Sequence, residues 1–199
     1  STNGTTWTAP TSIPGAASGV FYFNATMTVN TSGNFVVTGY NSFDSVPWYA
    51  FSADGSSWAA STLSGSAFSP RSVIWSSYNS LFITIGGTST SLAYSTSANG
   101  TTWTTPVAID GSNNAALILS LAENPSGVIV GVGQLQAGAT TQPVYLTSTN
   151  GTTWTAPTLL NGSTDVGYMR GVVYNTATGT FVATGSDSSS NWIYAVSSV

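Results

Sequence analysis

The chain has 199 residues, of which 41% are hydrophobic and 12% aromatic but only 4% charged, where about a quarter is usual for a soluble domain. Two arginines against six acids, with no lysine or histidine, leave no basic surface to neutralise phosphates, which excludes nucleic-acid binding and attraction to an anionic membrane. Seven Trp, nine Tyr and eight Phe at a net charge of -4 exclude disorder, and the absence of Cys and His excludes disulfides, zinc sites of the usual kind, thiol nucleophiles and a Ser-His-Asp relay, so no metal or cofactor is expected.

No apolar run approaches the roughly 18 residues of a membrane span, and the longest, such as Ala115 to Leu119, are strand-sized, so membrane insertion is not expected. The sequence opens at Ser1 without an initiator Met and reads as a processed or excised segment. Abundant Ser and Thr with no Lys suit an extracellular location, on a cell or virion surface.

Along the chain, one motif returns four times: Ser1-Thr-Asn-Gly-Thr-Thr-Trp7, Ser52-Ala-Asp-Gly-Ser-Ser-Trp58, Ser97-Ala-Asn-Gly-Thr-Thr-Trp103 and Ser148-Thr-Asn-Gly-Thr-Thr-Trp154. The starts are 51, 45 and 51 residues apart, which divides the chain into repeats of about 1–51, 52–96, 97–147 and 148–197. The chain begins with an extended strand from Thr5 to Ser12, which runs out of the first motif. A strand ending in glycine then recurs as Phe35–Gly39, Phe82–Gly86, Ile129–Gly133 and Phe181–Gly185. Before it in each repeat stands another apolar strand, Arg71–Trp75 in the second and Arg170–Tyr174 in the fourth. After it comes a strand carrying Tyr49, Tyr94, Tyr145 or Tyr194 three residues ahead of a serine, the last being Trp192 to Ser197. Short β-branched and aromatic segments separated by Gly, Asn and Ser predict an all-β chain, and nothing shows helical periodicity.

The motif itself predicts a hairpin. Asx-Gly between strands favours a type I′ turn, whose central residues both take positive φ. The Trp that follows offers roughly 150–250 Å² for burial between neighbouring sheets, so the four motif tryptophans are assigned to the core.

The motif resembles the Asp-box, or bacterial neuraminidase repeat, of sialidase-like β-propellers, with one residue fewer before the aromatic and Asn at three of the four Asx positions. The resemblance implies a small β-propeller of four blades, each of four antiparallel strands, in which the box is structural and lies away from the ligand face. On that plan the strand from Thr5 to Ser12 pairs with Trp192 to Ser197 and the terminal strands close the ring, leaving no free edge. Half of an eight-bladed ring formed by two chains, and a piece of a longer array, are the alternatives.

Aligned on the strand-ending glycines, Arg71 and Arg170 fall on one repeat position, with Asn24 and Ile118 as counterparts. Arg71, Arg170 and Asn24 are therefore candidate binding residues for an anion or polar ligand, since guanidinium forks suit carboxylates. The sialidase-like arginine cluster points the same way. Trp48, Trp192 and Tyr168 lie outside the motif and are candidate platforms for stacking on sugar rings. No catalytic residues are assigned: glycoside hydrolysis needs two positioned carboxyl groups, Asp54 occupies a box turn, and the only glutamate, Glu123, precedes an Asn-Pro pair that predicts a turn. The reading is a non-enzymatic surface domain for glycan recognition or adhesion, whose partners are glycans or neighbouring subunits and which can form a homo-oligomer. The alternatives are a structural subunit of a fibre, pilus or capsid, and a degenerate sialidase-like hydrolase.

Overall fold

In a computed structural model the described residues are 4–14, 26–41, 45–64, 68–88, 90–109, 111, 116–137, 140–160 and 167–197. They form an all-β fold of four antiparallel sheets in chain order. The first contains β1 (Met27–Val29), β2 (Phe35–Asn41), β3 (Val46–Ser52) and β4 (Ala59–Thr62). The second contains β5 (Ser69–Ser76), β6 (Leu81–Gly87), β7 (Leu92–Ser97) and β8 (Val107–Ala108). The third contains β9 (Ala116–Glu123), β10 (Ile129–Ala137), β11 (Thr140–Ser148) and β12 (Thr158–Leu159). The fourth has three strands, β13 (Gly167–Asn175), β14 (Thr180–Asp187) and β15 (Trp192–Val196). Every sheet is a meander, and each packs its first strand against the sheet before it, β5 on β1 and β2, β9 on β5, β13 on β9 and β10.

Local chemistry sets the hairpins. Between β1 and β2 the Asn30 side chain accepts the Ser32 and Asn34 amides at 3.0 and 2.9 Å, and Gly33 turns the chain at φ +84°. Asn124 and Gly127 repeat the arrangement between β9 and β10. The strand-ending glycine has a different cause. Opposite it the first strand carries a bulge, with Pro70 facing Gly86 and Ser72 facing Ile85, so that Arg71 is the extra residue. A side chain on Gly86, Gly133 or Gly185 would overlap the carbonyl of Ser69, Leu117 or Tyr168. In the fourth sheet the extra residue is Arg170. In the third it is Leu119, one residue beyond the expected Ile118, which is wholly buried.

The motif loops do not form the expected type I′ turn. Gly55, Gly100 and Gly151 have positive φ, but the Asx residues before them do not. Six residues, 53–58, separate β3 from β4, and side chains replace the tight turn. The Ser52 hydroxyl accepts the Gly55 amide at 2.9 Å, the Asp54 carboxylate accepts the Ser56 and Ser57 amides at 2.8 and 2.7 Å, and the Trp58 indole donates to the Gly55 carbonyl at 3.2 Å. The loops at Ser97 and Ser148 keep the same bonds.

The loops at Ser97 and Ser148 then dock on the preceding sheet. Tyr49 donates to the Thr101 carbonyl at 2.6 Å and its ring lies 6.1 Å from Trp103; Tyr94 donates to Thr152 at 2.5 Å and lies 6.3 Å from Trp154. Trp103 and Trp154 are buried as expected, each 8% exposed. Along the first strands hydroxyls accept the neighbour's amides: Thr26 and Thr28 take those of Val73 and Trp75 at 2.6 and 2.9 Å, and Ser120 takes that of Val172 at 3.2 Å. Such bonds satisfy half-buried backbone groups without desolvating a charge.

Among the described residues the expected closure of the ring is not made: residues 5–12 contain no strand, Trp7 is 75% exposed rather than in the core, and β15 pairs only with β14. No packing like that between successive sheets joins the fourth sheet to the first among the described residues, which leaves the edge of β15 and its expected partner apart.

Candidate functional site

Three of the residues expected to bind ligand come together on the fourth sheet. Tyr168 and Arg170 flank the start of the β13 bulge, Thr184, Gly185 and Ser186 lie opposite on β14, and Trp192 begins β15. With Ser190 they line an open cleft of about 290 Å³, near the lower end of the roughly 300–1,000 Å³ typical of small-ligand sites. The cleft is positioned by the turn between β14 and β15. There Asp187 accepts the Ser189 and Asn191 amides at 2.9 and 2.8 Å and the Asn191 side-chain amide at 2.9 Å, while Ser190 takes φ +64°. These bonds, the Asn191 side chain first, hold the Asp187 carboxyl below the usual carboxylate range.

The guanidinium of Arg170 lies 4.7 Å over the Tyr168 ring and its Nη2 donates to the phenol oxygen at 3.4 Å. The Ser186 side chain, and then Arg170 by hydrogen bond and charge, lower the Tyr168 phenol from its ordinary pKa. Arg170 is exposed and keeps further N–H donors for a ligand. The Trp192 indole is 90% exposed. A flat apolar ring, a guanidinium and several hydroxyls therefore face one opening.

The other candidates lie elsewhere. Arg71 holds the equivalent bulge on the second sheet, but it is half-buried; burial lowers its pKa, and its Nε is buried without a hydrogen-bond partner among the described residues. Trp48 is not a stacking platform. It is 8% exposed and lies under Gly39, where an added Cβ would be 2.9 Å from the indole, so the absence of a side chain on that glycine admits the ring to the core. Asn24 lies outside the described residues, as do Asp44, Asp110 and Asp165. Glu123 ends β9 and clamps the turn of the second sheet, bonding the Ser76 hydroxyl and accepting the Ser77 amide at 2.9 Å. Sequence reasoning did not single out Thr184, Ser186 or Ser190; the Asp187–Asn191 spacing, which marks a turn beside Trp192, is the signal that leads to two of them.

No family model matches the chain, and no curated protein matches it. Solved structures do. A GH74 xyloglucanase from Xanthomonas campestris is similar over 86% of this chain and 28% of its own, at 18% identity and a TM-score of 0.55. "YCF48 bound to D1 peptide" is similar over 84% of this chain and 50% of its own, at 18% identity and a TM-score of 0.49. A glycosyl hydrolase from Bacteroides ovatus is similar over 86% of this chain and 63% of its own, at 15% identity and a TM-score of 0.46. The chain thus spans half or less of the first two. The similarity to the xyloglucanase concerns fold, and with the four meander sheets in sequence it gives the chain a small β-propeller architecture.

Proposed function

We propose that the protein is a non-enzymatic carbohydrate-recognition module of the Asp-box type, working at a cell or virion surface, with the Tyr168–Arg170–Trp192 cleft as its binding site. The observation that carries this reading is the exposed Trp192 ring beside the Arg170–Tyr168 pair. A sugar's apolar face stacks on the indole, while the guanidinium and the Ser186 and Ser190 hydroxyls take its oxygens or a carboxylate substituent. The small volume suits a terminal sugar unit. Among the described residues, the use of Glu123 as an inter-sheet clamp and of Asp54 and Asp187 as turn formers, each bonded by backbone amides, supports a binding rather than a catalytic role. A glycan array followed by titration calorimetry tests the reading. Trp192→Ala and Arg170→Ala should each weaken binding about tenfold or more with folding intact. Silence across neutral and acidic glycans at high protein concentration, or turnover of a fluorogenic sialoside, would overturn it.

A further inference from the structure

The third and fourth sheets leave between them a second cleft, of about 420 Å³, at the opposite end of β15 from Trp192; Val130, Tyr145, Phe181 and Ser197 are among its lining residues. Its composition is explained by the two filled positions before it. The loop at Gly100 sits between Val36 of the first sheet and Phe82 of the second, and the loop at Gly151 between Ile83 of the second and Ile129 of the third. Val36, Ile83 and Val130 each stand three residues before the strand-ending glycine, and Phe82, Ile129 and Phe181 four before it. Val130 and Phe181 are thus the next pair in the series, with Tyr145 in the place of Tyr49 and Tyr94. The cleft is thus a loop seat, and among the described residues no loop occupies it.

A matching loop exists in the same sequence. Residues 1–11 are identical to residues 148–158 at every position. In the third sheet the latter segment pairs with β11, Thr158 opposite Tyr145 and Leu159 opposite Val144. Residues 4–14 nevertheless lie outside any sheet, with Trp7 75% exposed, although the Trp7 indole already donates to the Gly4 carbonyl at 3.2 Å and Gly4 already has φ +72°. The segment is therefore shaped for the seat before it reaches one, which lowers the cost of docking. Its counterpart is equally open, since Tyr194 and Val196 of β15 are 76% and 52% exposed, whereas the equivalent Tyr94 and Thr96 of β7 are 8% and 7% exposed.

We infer that this edge is an interaction surface for a second copy of the chain, whose residues 4–12 add to β15 as a fourth strand and place Trp7 in the cleft against Tyr145. Thr11 then stands opposite Tyr194, as Thr158 does opposite Tyr145, and the Tyr145 hydroxyl donates to the Thr5 carbonyl as Tyr94 does to Thr152. Reciprocal exchange between two copies covers both open edges and ends the assembly at a dimer, a closed solution for a head-to-tail contact. Eight blades lie within the usual range for such rings, about four to eight.

The absence of cysteine makes the test direct. Thr11→Cys and Tyr194→Cys, both at exposed positions, are made as separate chains, one carrying a mass tag, then mixed and mildly oxidised. The expected result is a mixed cross-linked species of twice the 20.3 kDa chain mass, with light scattering showing a dimer of the unmodified protein and Trp7→Ala raising its dissociation constant about 30-fold or more. A double variant that cross-links only within itself, with no cross-link in the mixture, shows that the strand returns to its own chain and overturns the inference. So does the absence of any cross-link in folded variants. Glycan binding at the other end of β15 is read independently.

Discussion

Replacing Trp103 by alanine gives the sharpest test of how the sheets are held together. The side chain is 8% exposed, so it buries about 140–230 Å² of the roughly 150–250 Å² a tryptophan offers. At about 25 cal/mol per Å² that is about 3.5–6 kcal/mol, and a compact unfolded state lowers it to about 3–4 kcal/mol, within the range of about 3–5 kcal/mol seen for such truncations. The substitution also removes the Trp103 indole's bond to Gly100 and uncovers Tyr49, Val36 and Phe82. At about 2–4 °C per kcal/mol for a chain of this size, the unfolding midpoint should fall by about 6–16 °C. Trp7→Ala is the control, since the same motif residue is 75% exposed; in dilute solution it should cost about 1 kcal/mol or less. Both are measured by circular dichroism during thermal and urea unfolding. Equal losses from the two substitutions would refute the argument that burial between sheets, rather than the loop's own bonds, makes these tryptophans stabilising.

Asp54 accepts the amides of Ser57 and Ser56, which hold its carboxyl far below the ordinary range. A depressed pKa contributes stability that is complete above about pH 4 and is lost as pH falls through the folded value. Asp54→Asn, the residue type found in the equivalent loops at Asn99 and Asn150, should fold normally and flatten the acid side of the stability profile below about pH 4, leaving the slope due to Asp187. Unchanged slopes in urea titrations at pH 2–5 would contradict this. Arg71→Met keeps an aliphatic stem but removes the buried, unbonded Nε, an orphaned donor costing about 1–3 kcal/mol. Stability should stay level or rise by about 1 kcal/mol, and glycan binding at Arg170 should be unaffected. A loss above about 2 kcal/mol in urea unfolding would show that Arg71 has a partner in solution.

The repeat period, the order of strands and the position of the two arginines were legible in the sequence because each rests on local spacing. The slip from Ile118 to Leu119 shows where that stops. A bulge is placed by strand pairing, and the turn before Gly133 differs in length from those before Gly86 and Gly185. The fate of Trp7 was not legible for a related reason. Residues 1–11 share every residue with 148–158, yet one tryptophan is exposed and the other buried, since burial depends on a seat supplied by distant strands. Trp48 carried no periodic mark; only the pairing of Gly39 with Trp48 shows why the ring enters the core. At the site, Tyr168, Arg170 and Trp192 were recognisable by type, whereas Ser186 and Ser190 acquire meaning only through the turn that Asp187 builds.

The hydroxyls of Thr26, Thr28 and Ser120, which take up backbone amides of the next sheet, set the protein's response to its surroundings. Contacts of this kind carry no net charge, so apart from the Glu123 clamp ionic strength has little to screen between the sheets. With only eight formal charges in the chain, salt acts on this fold mainly through the hydration of its apolar surface rather than by screening charges.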